Sequence, residues 1–151
     1  MAIQFVPGQV AVGDPSPVGP TATSNDKDVH IKVVKLSSAN FTTGGVNTLV
    51  AVLPADSTIL ELSYLVRTQL AGGSISAATL SLGSTSGGTE FISAYNVFTA
   101  AGTQTHLSPA TGIMQNYALP LGPDIQIWAR GVATTGNPTS GELYVKIQYV
   151  R

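Results

Sequence analysis

Two histidines and eight carboxylates are the whole stock from which acid–base or metal chemistry could be drawn in this 151-residue chain, which has no cysteine. His30 stands beside Asp28 on the expected solvent face of a strand, the setting of an exposed histidine rather than of a general base. His106 lies in a Thr-rich stretch read as loop, without a neighbouring carboxylate, so no nucleophile–base pair can be assembled locally. The two histidines are separated by the middle of the chain and match no zinc spacing, and the acids are too scattered for a calcium loop. No catalytic residue, metal site or cofactor is therefore expected. The glycine-rich run Gly83 to Glu90 lacks the Lys-Ser/Thr that a phosphate-binding loop needs, and reads as a turn. Asn40-Phe41-Thr42 is formally a glycosylation acceptor, but MAIQFVPGQV has neither a basic region nor a long apolar stretch, so no signal peptide is expected to bring it to that machinery.

Side chains suited to contact are more informative than those suited to chemistry. Trp128 falls on the polar phase of its strand, beside Gln126 and Arg130. It is either covered by a second layer or is an interface anchor, a role for which Trp, Tyr and Arg are enriched. Tyr144, on the outward phase of the last strand, is expected to join it.

The elements that carry these residues are read from apolar alternation. Val46 to Gln69 holds two apolar runs around Pro54-Ala55-Asp56-Ser57, which suits a turn, and reads as a β-hairpin with Leu60, Leu62, Tyr64 and Val66 facing inward. Val29 to Leu36 alternates Val29, Ile31 and Val33 against His30, Lys32 and Val34. Ala77 to Leu82 offers a shorter strand. Glu90 to Phe98 fits either strand or helical turn, and strand is preferred. Residues 99–123 are broken by Pro109, Pro120 and Pro123, with one weak strand near Ile113 to Leu119. Ile125 and Ile127 alternate with Gln126 and Trp128, and after Gly136-Asn137-Pro138 the last strand turns Leu143, Val145, Ile147 and Tyr149 one way. Seven to eight short strands, no convincing helix and no repeat indicate an all-β sandwich of jelly-roll type.

At 151 residues one domain is expected, burying roughly 70% of its unfolded surface. Charged residues make up only 10% of the chain against about 25% in an ordinary domain, so much of the surface is expected to be covered by assembly into a dimer or trimer. A net charge of −1 supplies no field to draw nucleic acid or an anionic bilayer, and no run approaches the 18 apolar residues of a membrane helix. Residues 1–28 form an expected arm ahead of a sandwich domain at 29–151. Pro7, Pro15, Pro17 and Pro20 exclude helix there, and Ile3, Phe5, Val6, Val10 and Val12 are too apolar for a solvated tail, so the arm is expected to dock on a neighbouring subunit.

The order LPADSTILELSYLVRTQL, ISAATLSLGSTSGGTEFISAYNVF, DIQIWARG and GELYVKIQYV resembles small β-rich virion proteins of tailed bacteriophages over about residues 46–150. Thr79-Leu80-Ser81-Leu82-Gly83 stands where that group has a T-x-S-x-G segment, and Gly141-Glu142-Leu143-Tyr144-Val145 matches its closing strand, whereas Asp56 departs from the glycine of its first turn. The resemblance implies a capsid decoration (cement) protein on the virion surface, made in the host cytoplasm, whose partners are the major capsid protein and its own copies. The alternatives it leaves are a phage tail or head-fibre component, or a carbohydrate- or receptor-binding sandwich. The last is disfavoured by aromatics that total only 7% and do not cluster in one loop.

Overall fold

The computed structural model describes residues 28–55, 57–107 and 124–151. In them the chain forms nine strands: β1 (Val29–Ser37), β2 (Phe41–Thr42), β3 (Val46–Leu53), β4 (Thr58–Ala71), β5 (Ala77–Gly83), β6 (Ile92–Asn96), β7 (Gln104–Leu107), β8 (Ile125–Thr134) and β9 (Ser140–Val150). The one helical element among the described residues is a single 3-10 turn at Ser38–Asn40. Its N-cap serine and Asn40 close on each other, the Asn40 Oδ1 accepting the Ser37 N–H at 2.8 Å. The fold is all-β, as the period-two runs require.

Pairing follows a pattern that identifies the roll. β1 pairs with β9, β3 with β8, β4 with β7 and β5 with β6, all antiparallel, so the strands match from the outside inward like one long hairpin. Rolling that hairpin adds the contacts β9–β4 and β8–β5 and yields two sheets, β1-β9-β4-β7 and β3-β8-β5-β6. This is the jelly roll. The short β2 extends the second sheet by pairing in parallel with β8 where β3 ends: Phe41 and Val46 both lie opposite Gly131. That crowding leaves no room for a side chain, since a Cβ on Gly131 would stand 2.2 Å from the Asn40 carbonyl oxygen and 2.8 Å from Phe41 Cδ1.

The two sheets close on one apolar core. Leu36, Leu62, Tyr64, Val66, Leu143, Val145 and Ile147 fill it from the first sheet, and Leu53, Leu80, Leu82 and Ile127 from the second, all almost fully buried. Each such side chain contributes about 1.5–3 kcal/mol relative to exposure. The alternation read along β9 is therefore correct in phase. Tyr64 keeps its polar end bonded, donating its hydroxyl to the Asn96 carbonyl at 3.2 Å.

Four expectations are corrected. Val46 to Gln69 is not a hairpin: β3 belongs to one sheet and β4 to the other, and the turn closed by the Ser57 N–H on the Pro54 carbonyl (2.9 Å) carries the chain across the core. Alternation alone shows that two strands each bury a face; it does not say whether they lie side by side or face to face. Leu60 points outward (45% exposed) because a bulge between Ile59 and Glu61 shifts the phase and sends Ile59 into the core. In β1 the phase is the reverse of the expected one. Leu36 faces the core opposite Leu143, which fixes Val34 inward and leaves Val29, Ile31 and Val33 outward at 55–59% exposure. His106 lies in β7, not in a loop. The preferred strand at Glu90 to Phe98 is present as β6, bent at Ala94 (φ +46°) where its pairing with β5 slips. The arm and the weak strand expected near Ile113 to Leu119 lie outside the described residues.

Candidate interaction surfaces

Residues directly opposite in an antiparallel ladder share a face. From Leu143, Val145 and Ile147 inward, it follows that Tyr144, Lys146 and Gln148 of β9 face out, flanked by Lys35, Val33 and Ile31 of β1 and by Leu65, Ser63 and Glu61 of β4. This outer face of the first sheet is apolar along the β1 edge and charged toward its end. There Glu142 accepts from Lys35, which it pairs with directly, and from the Tyr144 hydroxyl at 2.6 Å, while Arg67 Nη1 donates to the same hydroxyl at 3.0 Å. The hydrogen bond from Lys35, then that from Tyr144, holds the Glu142 carboxyl below the usual carboxylate range, and the same contact raises Lys35. A second pair, Lys146 to Glu61 at 2.9 Å, crosses the neighbouring strands.

Between these groups the small Ser63 lies beneath longer neighbours and leaves a groove of about 300 Å³, bordered by Val33, Leu65, Gln104, Tyr144 and Lys146. That is the lower limit of a small-molecule pocket. It is open and holds no convergent set of acids, bases or donors around a reacting position.

On the second sheet Trp128 faces out, opposite Leu49 on one side and Gly83 on the other. Its indole N–H donates to Gln126 Oε1 at 2.9 Å, and Leu49 and Val52 beside it are 43% and 38% exposed. Trp128 and Tyr144 are both outward, as their strand phases required. They are not brought together, because they stand on opposite outer faces of the roll. Ile3, Phe5, Val6, Val10 and Val12 lie outside the described residues.

The groups capable of chemistry remain dispersed. β1 and β7 are the two edges of one sheet, and His106 is level with Val33, so the backbones of His30 and His106 are three strand spacings apart across the sheet and three residues apart along it, about 17 Å in all. The His30 ring stacks on Tyr149 with centroids 5.1 Å apart. Among the described residues no three His, Asp or Glu side chains gather in a metal-binding group. In the glycine-rich loop, Glu90 Oε2 takes the Ser84 N–H at 3.0 Å and the Gly88 N–H bonds the Thr85 carbonyl. The Glu90 carboxylate and the Thr85 carbonyl thus already engage these two loop amides.

No protein-family profile and no curated protein matches the chain. Among solved structures it is similar to a chain of the cyanophage Pam1 capsid asymmetric unit, with TM-score 0.52 and 18% identity over 83% of this chain and 86% of that one. Similar chains occur in the capsid of Ralstonia phage GP4 (TM-score 0.47, 18% identity, 84% and 85% covered) and in the acid-stable capsid of Helicobacter pylori bacteriophage KHP30 (TM-score 0.47, 10% identity, 83% and 94% covered). At these identities what is shared is the fold, a two-sheet β architecture that this chain has in common with a chain of a phage capsid.

Proposed function

We propose that the protein is a structural component of a bacteriophage virion, a capsid decoration protein that attaches to the head lattice and stabilises it through contacts with the major capsid protein and with its own copies. The observation that carries this is the likeness to the Pam1 capsid chain, which takes in more than four-fifths of both chains and so compares one small protein with another of nearly equal length. The surface supports it. Apolar side chains stand outward on both sheets, with Trp128 and Leu49 on one and Val29, Ile31 and Val33 on the other, in a chain with little charge to keep it apart from partners.

The arm and Trp128 are the proposed attachment points. Deleting residues 2–24 is expected to lower occupancy on heads that lack the native protein while leaving the thermal midpoint of the roll unchanged. Trp128→Ala should do the same, because its ring is outside the core. Full occupancy by both variants would remove the lattice role from these groups. Failure of the intact protein to bind heads at all would favour a tail, fibre or glycan-binding role instead.

A further inference from the structure

The apolar strip on β1 is on the solvent side of an edge strand and nothing in the described fold covers it. Val29, Ile31 and Val33 are each more than half exposed, and the groove that Ser63 leaves next to Val33 continues the strip toward Leu65 and Tyr144. A strip of this kind on an edge strand is a liability unless it is occupied. We infer that its occupant is the apolar segment Ile3 to Val12 of a second copy of this chain, with Phe5 seated in the groove.

Two observations select this occupant. The segment supplies the matching chemistry: five apolar side chains, of which Phe5 is the aromatic of a size to enter a small open groove. Its tether is longer than its own strip needs and long enough to reach a neighbour's. The described fold begins at Asp28, next to Val29, so the chain's own strip starts at the point of entry and runs only about 13 Å to Val33. Fifteen residues lie between Val12 and Asp28, a span of sixteen residue steps. Pro15, Pro17 and Pro20 favour an extended course, which allows a reach of up to about 50 Å, more than the roughly 35 Å breadth of a roll this size. A tether is most effective when its length matches the span it bridges. Charge does not oppose it: Ile3 to Val12 carries no charged side chain, and on the outer face Lys35, Arg67 and Lys146 already pair with Glu142 and Glu61.

The exchange needs no lattice, so it is tested on the full chain alone and its failure leaves the virion role standing. Sedimentation equilibrium of the intact protein should show a closed oligomer. Phe5→Ala and Val33→Lys should each raise its dissociation constant roughly tenfold or more, and the double variant should be no weaker than the worse single one, because Val33 borders the groove that Phe5 enters and both substitutions remove that one contact. Val33 is 59% exposed, so the thermal midpoint should hold; Leu65→Lys, at the same groove, serves if Val33→Lys does not fold. Ser93→Glu, at an exposed position of β6 on the opposite sheet, should leave association unchanged. A monomer at all concentrations, additive effects of the two substitutions, or equal loss with Ser93→Glu would each overturn the proposal.

Discussion

Gly131 is where the fold tolerates least change, and replacing it with alanine separates close packing from backbone entropy. Ordinarily Gly→Ala stabilises by about 0.4–1 kcal/mol, because the unfolded chain loses freedom. Gly44 meets the conditions for that: a Cβ there would find nothing within 4 Å, and no left-handed φ opposes it. At Gly131 the same methyl would stand 2.2 Å from a backbone oxygen of residue 40 and 2.8 Å from the Phe41 ring, whose side chain is fully buried. Neither neighbour is the free end of a flexible chain. To make room, β2 must move off β8 by about 1 Å, which strains packing by about 1–3 kcal/mol and weakens ladder hydrogen bonds worth about 1 kcal/mol each. The expected loss is about 2–4 kcal/mol, which at this length lowers the thermal midpoint by roughly 4–16 °C. Urea unfolding of the two variants is the assay, with the slope checked so that a changed unfolded state is not mistaken for lost stability. If Gly131→Ala is as stable as Gly44→Ala, the junction of β2, β3 and β8 is not close-packed and the argument from that approach fails.

Two further outcomes follow from local geometry. Ala94→Gly should stabilise by about 0.5–1 kcal/mol, since a left-handed alanine costs more than glycine's extra entropy. The Ala94 N–H bond to Ser81 Oγ (2.9 Å) is kept, and a lower urea midpoint would contradict the strain. The Glu142 cluster should make stability depend on acid. Its folded pKa lies below the unfolded value, so its contribution is present above the unfolded value and is lost as pH falls through the folded one. Lys35, raised by the same contact, contributes below the ordinary lysine value and loses that contribution as pH rises through its own raised one. The stability difference between the native protein and Glu142→Gln should therefore be flat from pH 6 to 9 and shrink below about pH 4. Salt should reduce it, because the cluster is exposed. A difference unchanged at pH 3 would show that Glu142 acts by packing, not by charge.

Alternation is legible where one face of a strand is apolar and the other is not. β9 meets that condition, and its inward set Leu143 to Tyr149 and outward Tyr144 were both readable. β1 does not, because Val33 and Val34 adjoin and either parity gives an apolar row. What decides its phase is Leu36 against Leu143, a contact 107 positions away in sequence that no local pattern contains. β7 was invisible for another reason: four residues, Gln104 to Leu107, are too few for a period to register. The crossing at Pro54–Ser57 was misread because hairpin and crossover use the same turn chemistry, and only the partners β8 and β9 distinguish them. The same limit governs the surface. Parity could place Trp128 and Tyr144 outward one at a time, but joining them into a patch requires knowing which sheet each strand enters, and the rolled pairing sends β8 and β9, though consecutive, to opposite layers. The roll turns the consecutive strands β8 and β9 toward opposite sides of the molecule, so under the proposed function Trp128 and Tyr144 would meet different partners or different copies.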